Sequence, residues 1–249
     1  MEIARAAAGL FVSRGLRATR AEDIAQAAGI APRTFYRYFA TKEEAVAPLY
    51  AAGAERWAEA VREAPAELPV PQALEHAVRH TLAPGRGVST ASWEWVRTLI
   101  RLAGTSPALG KVWAEVCHTA ETTLAEILRQ RADANGMDAA GMEAAGMEAA
   151  GTDAASSTLA PRALAPADVA PRALAPADVP SPHQRFTAAV ASAAVRVAVE
   201  SWAATNTAPT GPQGPAELAM QNLRTLRGFA WEARPAEGEG EGAGEPEEA

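Results

Sequence analysis

The sequence predicts an all-α protein of about nine helices, with three short helices followed by a larger helical body. Apolar residues recur with the 3.6-residue period of a helix, and no segment alternates with the two-residue period of a strand. Helix-start signals recur as well. The dipeptide "SP" at 106–107 and at 181–182 pairs a capping serine with a proline at the first helical position. The "TKEE" of residues 41–44 has the pattern of a capping box.

Turn residues mark the ends of the first helices. Gly15 and Gly29 each follow an apolar helical stretch, at the position where helices commonly end in left-handed backbone. Pro32 opens the third helix, where a missing N–H is tolerated. We predict helices over residues 2–12, 21–28, 32–39, 41–62, 70–83, 88–103, 107–133, 183–204 and 214–231.

A segment of low complexity interrupts the helical body. The pentapeptide "GMEAA" recurs within 136–151, and "APRALAPADV" occurs at 160–169 and again at 170–179. Repeats this short and this rich in Ala, Pro and Gly cannot bury an apolar stripe that offsets chain entropy. We therefore expect residues 134–181 to be a disordered or weakly helical insertion, with the "GMEAA" part open to extending the preceding helix.

Charge is distributed unevenly along the chain. The formal net charge is −7, but six glutamates and no basic residue follow Pro235. Residues 1–50 hold seven Arg or Lys against five Asp or Glu, so this segment carries +2. The acidic average therefore does not exclude a nucleic-acid partner, because the local field decides such binding.

Cysteine content and apolar runs restrict the location of the protein. The single Cys117 excludes an internal disulfide framework and a thiolate metal cluster. Met1 leads into the first helix without the basic region and cleavage site of a signal peptide. The most apolar later run is broken by Arg196 and is too short to span a bilayer. We therefore expect a soluble, cytoplasmic protein without membrane contact.

Residues 21–39 carry the pattern of a helix-turn-helix. Two helices flank a tight glycine turn, and Phe35 and Phe39, four residues apart, can share a core with Ile24. The remaining face of the second helix of this pair presents side chains that reach phosphates and base edges, namely Arg33, Thr34, Arg37 and Tyr38, with Tyr36 at its flank. Such a helix fits the major groove of DNA.

This segment resembles the DNA-binding domain of the TetR family of bacterial transcriptional regulators. The shared pattern consists of Phe11, Gly15, Thr19, Asp23-Ile24-Ala25, Ala28-Gly29-Ile30, Arg33 to Phe39, and Lys42-Glu43-Glu44. The resemblance covers about residues 3–50, and it implies a homodimer on a palindromic operator. It departs in two respects. The sequence starts within the first helix, so that either the basic arm of many members is absent or the true start lies upstream of Met1, and Arg20 replaces the usual Ser or Thr cap. Thr19 is then expected to cap a shifted start.

The resemblance implies which residues contact DNA. Thr34, Tyr36 and Tyr38 match recognition-helix positions, whereas Arg33 and Arg37 are the expected base or phosphate readers. Thr19 and Lys42 match phosphate contacts. Simpler readings remain open, since Tyr36 could be half-buried in the core and Arg37 could pair with Glu43 or Glu44.

The resemblance also divides the chain. We expect a DNA-binding domain at 1–45, regulatory ligand-binding helices at 46–133, the insertion at 134–181, dimerisation helices at 182–232 and a disordered acidic tail at 233–249. The last two helices would pair with a second copy, aided by an alanine stripe on 183–204. The candidate ligand-pocket residues are Trp93, Arg97, Arg101, Trp113, Cys117 and Trp202. For each of these, ordinary core packing is the alternative.

We expect a ligand-responsive homodimeric repressor, released from its operator by a small apolar or aromatic effector, without enzymatic activity or cofactor, and associated with the nucleoid. An activator remains open, and a non-specific architectural DNA-binder is disfavoured by the large body. An enzyme is disfavoured because no phosphate loop, metal-ligand spacing or catalytic triad is visible. His76 and His80 are four residues apart but lack further ligands, and the adjacent Cys117 and His118 diverge on a helix.

Overall fold

The computed structural model describes residues 1–83, 90–148 and 179–232, with side chains for 1–83, 93–135 and 179–232. This part of the chain is all-helical, as predicted. The helices are α1 (Glu2–Arg14), α2 (Ala21–Ala27), α3 (Pro32–Tyr38), α4 (Ala47–Arg62), α5 (Val70–Thr81), α6 (Thr90–Thr105), α7 (Pro107–Glu148), α8 (Pro182–Ala204) and α9 (Pro215–Thr225). In the described ranges, none of these helices has both the length and the apolar character that a membrane crossing requires.

Local capping signals are confirmed at several helix ends. Gly15 and Gly29 adopt φ values of 84° and 67°, the left-handed backbone that glycine adopts without strain. Ser181 accepts the Gln184 amide at 3.2 Å, while the Gln184 side chain accepts the Ser181 amide at 2.7 Å. Ser106 likewise accepts the Leu109 amide at the start of α7.

The start of α4 differs from the predicted one. The Glu44 amide donates to the Thr41 hydroxyl, as a capping box requires, but the Glu44 carboxylate accepts the Ala40 amide at 2.9 Å instead of the Thr41 amide. A 3₁₀ turn over Glu44–Val46 follows, and the α-helix begins only at Ala47.

Two later boundaries also differ. α7 continues through Glu148, so it includes the first "GMEAA" residues that we assigned to the insertion. α9 ends at Thr225 instead of 231; beyond it the chain turns, and the Trp231 indole N–H donates to the Leu226 carbonyl at 3.2 Å. Most of the predicted insertion, 149–178, and the acidic tail, 233–249, lie outside the described residues.

The buried residues join the three-helix head (α1–α3) to the body (α4–α9). Phe11, Ile24 and Phe35 of the head belong to one apolar cluster with Tyr50 of α4 and Leu99 of α6. A second cluster packs α4, α5, α7, α8 and α9 together. The head and the body therefore share one continuous apolar core and are not separated by an exposed linker.

The alanine stripe of α8 lies inside the chain. Ala188, Ala191, Ala194 and Ala198 are all buried, in the cluster that α8 forms with its own neighbouring helices. Small side chains let helices approach closely, and here they do so within one protomer. The prediction that this stripe serves the two-fold interface is therefore wrong.

Candidate DNA-binding surface and effector cavity

The helix-turn-helix consists of α2 and α3. At the start of α2, the Asp23 carboxylate accepts the Arg20 amide with an N···O distance of 2.9 Å. After α2, the chain turns through Gly29, and the Ile30 amide donates to the Ala25 carbonyl at 2.9 Å. This bond returns the chain against α2 and sets the direction in which α3 begins.

The recognition helix α3 has one buried and one exposed face. Phe35 is fully buried, and the Phe39 ring packs beside it with 5.5 Å between centroids. Tyr36 and Tyr38 are 51% and 61% exposed, which decides against a core role for Tyr36. The exposed face has the predicted composition: Arg33, Tyr36, Arg37 and Tyr38, with Thr34 half-buried.

Side-chain contacts hold parts of this face in place. The Tyr36 hydroxyl donates to Glu22 Oε1 of α2 at 3.2 Å. Partial desolvation, and then the Glu22 carboxylate, raise the pKa of Tyr36, so its hydroxyl remains a donor at neutral pH. Arg37 stacks over the Tyr38 ring at 5.1 Å from its centroid. The alternative pairing of Arg37 with Glu43 or Glu44 is not found among the described contacts.

Thr19 is a buried structural residue. Only 1% of it is exposed, and its hydroxyl donates to the Gly15 carbonyl at 2.9 Å. The backbone of Arg20, not Thr19, caps α2. The prediction that the Thr19 side chain faces a phosphate is therefore wrong for this conformation, because the hydroxyl is turned into the chain.

Lys42 has two backbone partners inside the head. Its Nζ donates to the Leu16 carbonyl at 2.7 Å and to the Thr19 carbonyl at 2.8 Å. These carbonyls belong to the connection between α1 and α2, so Lys42 ties that connection to the segment before α4. An ammonium group has three donors, and one of them is left for another partner.

A cavity of about 770 Å³ lies among the body helices and reaches α1. This volume is within the range of small-molecule sites. Five ring side chains contribute to its wall: Tyr50, Trp57, Trp93, Trp95 and Trp113. Aliphatic side chains complete the wall, among them Leu99, Ile100, Val116, Val195 and Val199.

Hydrogen bonds fix several of these rings. The Tyr50 hydroxyl donates to the Leu99 carbonyl at 2.9 Å, and burial raises the pKa of Tyr50. The Trp113 indole donates to Glu200 Oε1 at 2.7 Å, and its ring meets that of Tyr50 edge to face. Trp93 packs edge to face on Trp202, with 5.3 Å between centroids.

Three predicted pocket residues lie outside the cavity wall. Arg97 stacks over the Trp202 ring at 4.4 Å from its centroid and donates to the Thr207 carbonyl. Arg101 donates to the Ala203 and Thr205 carbonyls and to Asn206. The accepting groups lie in the last turn of α8 and directly after it, where cations are favoured by the helix dipole. The ligand role that we predicted for Arg97, Arg101 and Trp202 is thus replaced by a structural one.

The other three predicted pocket residues, Trp93, Trp113 and Cys117, do line the cavity. Burial raises the pKa of the Cys117 thiol to about 11, so the thiol is protonated and weakly nucleophilic at neutral pH. The neighbouring His118 side chain is 83% exposed. As predicted from their positions on the helix, these two groups do not form a pair.

The cavity wall is in contact with the head. Met1 and Arg5 belong to the wall, and both lie at the start of the chain, beside α1 or within it. The Trp95 ring, also part of the wall, reaches α1 at Gly9: its Cη2 is 3.3 Å from where a Cβ would stand. The cavity is therefore in direct packing contact with α1 of the head.

Comparison with known proteins identifies the head. Residues 3–47 match the family model described as "Bacterial regulatory proteins, tetR family". This match places the head, residues 3–47, in the TetR family. The matched residues run from α1 to the start of α4, and therefore include the whole helix-turn-helix.

Curated relatives of this protein share parts of its length. The HTH-type transcriptional repressor KstR2 of Mycobacterium tuberculosis is 51% identical over 45 residues, which are 18% of this chain and 22% of that protein. The HTH-type transcriptional regulator TcmR of Streptomyces glaucescens is 30% identical over 135 residues, 54% of either chain. The chain thus matches about a fifth to about half of the length of these relatives.

A solved structure extends the likeness beyond the head to the fold of the larger part of the chain. The TetR-family repressor FadR of Thermus thermophilus, solved in complex with lauroyl-CoA, matches with a TM-score of 0.52 and 22% identity. The match covers 95% of this chain and 98% of that one. At this level of identity the likeness concerns the fold alone.

Several residues of the cavity wall were not predicted from the sequence. Trp57 and Tyr50 of α4 are part of the cavity, as are Ser192, Val195 and Arg196 of α8. The spacing of Tyr50 and Trp57, seven residues apart on one helix face, was an available signal. The α8 residues had no such signal, because the alanine stripe dominates the pattern of that helix.

Proposed function

We propose that this TetR-family protein is a transcriptional repressor that binds a palindromic operator as a homodimer and is released by a small apolar or aromatic effector. The observation that carries the proposal is the continuous buried cluster in which Phe35 of the recognition helix is joined to Tyr50 and Leu99 of the cavity wall. The name of KstR2, 51% identical across the head, supports a repressor.

The exposed face of α3 supplies the DNA contacts in this proposal. Arg33 and Arg37 are suited to phosphates or to guanine edges, and Tyr36 and Tyr38 carry hydroxyl donors beside them. Arg14, Arg17 and Arg20 are exposed close to the same unit and add positive charge. We expect binding to weaken as salt rises, because phosphate contacts release counterions.

An apolar stripe on the outer side of α8 supports a homodimer. Phe186 and Val197 are 58% and 45% exposed, and Val190 and Ala193 lie between them at helical spacing. Val190 is partly buried against the core cluster and the Phe186 ring packs on Phe229 at 5.6 Å, so Phe186 and Val197 are the parts of the stripe left open to solvent. A two-fold contact through it would cover apolar surface that one protomer leaves open.

Effector release requires the cavity to act on the head. A ligand among the wall rings would contact Trp95, whose ring rests on α1 at Gly9. Displacing that ring would shift α1 against α6 and change the separation of the two heads. The effector then favours a state whose spacing does not fit the operator, which is a shift between two populations.

The proposal places the protein in the cytoplasm, on chromosomal DNA. It assigns neither catalysis nor a cofactor, in keeping with TetR-family regulators, which generally act by binding DNA.

Operator binding can be tested with the DNA upstream of the protein's own gene. Fluorescence anisotropy should show tighter binding of this fragment than of a shuffled one at physiological salt. Arg37→Ala should weaken binding by about tenfold or more, since one specific base contact is worth about 1–3 kcal/mol. Arg79→Ala, an exposed arginine of α5, is the matched control. Equal affinity for both fragments would contradict a sequence-specific repressor.

A further inference from the structure

Most of the tryptophans of this protein lie in the wall of the cavity. The protein has six tryptophans, and four of them line this one cavity: Trp57, Trp93, Trp95 and Trp113. Tyr50 adds a fifth ring. Aromatic rings pack best on other rings in stacked or edge-to-face arrangements, so this wall favours a ligand that is itself aromatic.

Neighbouring groups hold three of these rings, those of Tyr50, Trp93 and Trp113, in fixed positions. Trp93 packs against Trp202, and Trp202 is fixed in turn, because its indole donates to the Thr207 and Ala208 carbonyls at 3.2 Å. Hydrogen bonds anchor Tyr50 and Trp113 in the same way. A wall with fixed rings suits a rigid, planar molecule, because neither partner loses much freedom on binding.

Three polar groups on described residues of the cavity wall have no hydrogen-bond partner. Among the described residues, the indole nitrogens of Trp57 and Trp93 and the hydroxyl of Ser192 are buried without a hydrogen-bond partner, and all three residues belong to the wall. A buried donor without a partner is unfavourable. A ligand that brings acceptor atoms, such as carbonyl or phenolic oxygens, would supply what the wall lacks after small side-chain rotations.

The charges of the wall point in the same direction. Arg5, Arg56 and Arg196 contribute three cations to it, against the single carboxylate of Glu121. Arg196 is paired with Glu200 at 3.3 Å, which leaves Arg5 and Arg56 as the further positive groups. This balance disfavours a cationic ligand and tolerates a neutral or anionic one.

We infer that the effector is a planar aromatic molecule carrying oxygen acceptors, neutral or anionic, seated between the tryptophans of this cavity. The inference rests on the proposed function, because it names the ligand class of the same site. A flexible alkyl chain would also fill the volume, but it would lose more conformational freedom on binding than a rigid ring system.

Three probes separate these ligand classes in equilibrium dialysis with the full-length protein. The probes are 1,8-dihydroxyanthraquinone, which is planar with oxygen acceptors, proflavine, which is a planar cation, and dodecanoate, which is an anionic alkyl chain. We expect the anthraquinone to bind at least about tenfold more tightly than either alternative. If dodecanoate or proflavine binds as tightly, or if the anthraquinone does not bind, the ligand class is overturned.

Variants of the wall locate the binding. Trp95→Leu should raise the anthraquinone Kd about tenfold, and it should fold, because Trp95 is 41% exposed. Trp93→Phe, which keeps a ring and removes the N–H, should raise the Kd less. Trp231→Phe, a tryptophan outside the cavity, is the control. Unchanged affinity in both wall variants would overturn the assignment to this cavity.

The operator assay, run on the same samples, separates this inference from the proposed function. Anthraquinone binding without specific DNA binding would overturn the repressor proposal and leave the ligand class intact. Specific DNA binding together with tighter binding of dodecanoate would overturn the ligand class and leave the repressor proposal intact.

Discussion

The Cη2 atom of Trp95 lies 3.3 Å from the position that a Cβ would take at Gly9, so α6 packs directly on the backbone of α1. Trp95 also belongs to the cavity wall. One side chain therefore touches both the candidate effector site and the DNA-binding head. This contact is one direct physical route by which a ligand could act on the head.

Gly9→Ala tests the contact between α1 and Trp95. Alanine within a helix usually stabilises a protein by about 0.5–1 kcal/mol over glycine. At Gly9 we expect a smaller gain or a net loss, because the new methyl group would press on the Trp95 ring. Gly104→Ala is the matched control, since a Cβ there meets nothing within 4 Å. Urea denaturation measures the free energy of unfolding of both variants. Equal stabilisation would show that the Trp95 ring moves aside without cost and would contradict a tight contact.

Lys42→Ala should destabilise the head itself. The lost bonds to the Leu16 and Thr19 carbonyls involve a charged donor, so we expect a loss of about 1.5–3 kcal/mol in the free energy of unfolding. Lys111, the only other lysine, is 78% exposed and serves as control. Unchanged stability with weakened operator binding would instead favour the phosphate contact that the family resemblance implies.

Arg101→Met separates a structural arginine from a ligand contact. Arg101 donates to the Ala203 carbonyl in the last turn of α8 and to the Thr205 carbonyl directly after it, and its loss should cost about 2–3 kcal/mol of stability. Anthraquinone affinity should stay within about twofold, because Arg101 does not line the cavity. Arg79→Met is the control. Near-native stability with lost ligand binding would restore the pocket role first predicted from the sequence.

What could be predicted from the sequence depends on how far apart the interacting residues are. The cap formed by Ser181 and Gln184, and the buried face set by Phe35 and Phe39, involve partners three or four positions apart. Local periodicity and capping chemistry are sufficient for such features. The helix-turn-helix, which is compact in sequence, was therefore predictable almost residue by residue.

The rest depends on partners that are distant in sequence. Arg101 meets Ala203, 102 positions away, and Lys42 meets Leu16, 26 positions away. No local pattern distinguishes such an arginine from a ligand-binding one. The alanines of α8 correctly indicate close helix packing, but nothing in their spacing says whether the neighbouring helix belongs to the same chain.

The rate at which the Cys117 thiol is alkylated tests whether this residue of the cavity wall is buried. Burial raises the pKa of its thiol from 9.0 to about 11, so at pH 8 the folded protein should hold about one hundredfold less thiolate than the unfolded chain. Alkylation by iodoacetamide should be correspondingly slow and should accelerate toward pH 11. Because the folded-state pKa is the higher one, the linked stabilisation is present below pH 9 and is lost as the pH rises from 9 to 11. Alkylation at the rate of the denatured protein at pH 8 would contradict this.

Val197→Glu tests the outer stripe of α8 as a dimer surface. Val197 is 45% exposed, so the charge should be tolerated in a single protomer, with a stability change within about 0.5 kcal/mol. In a two-fold contact through this stripe each protomer would bury one such carboxylate in an apolar interface, which is strongly unfavourable. We therefore expect light scattering to show a dimer for the unaltered protein and a monomer for the variant. Thr119→Glu, an exposed position on α7, should leave the dimer intact. A dimer that persists in Val197→Glu would place the interface on another face of the body.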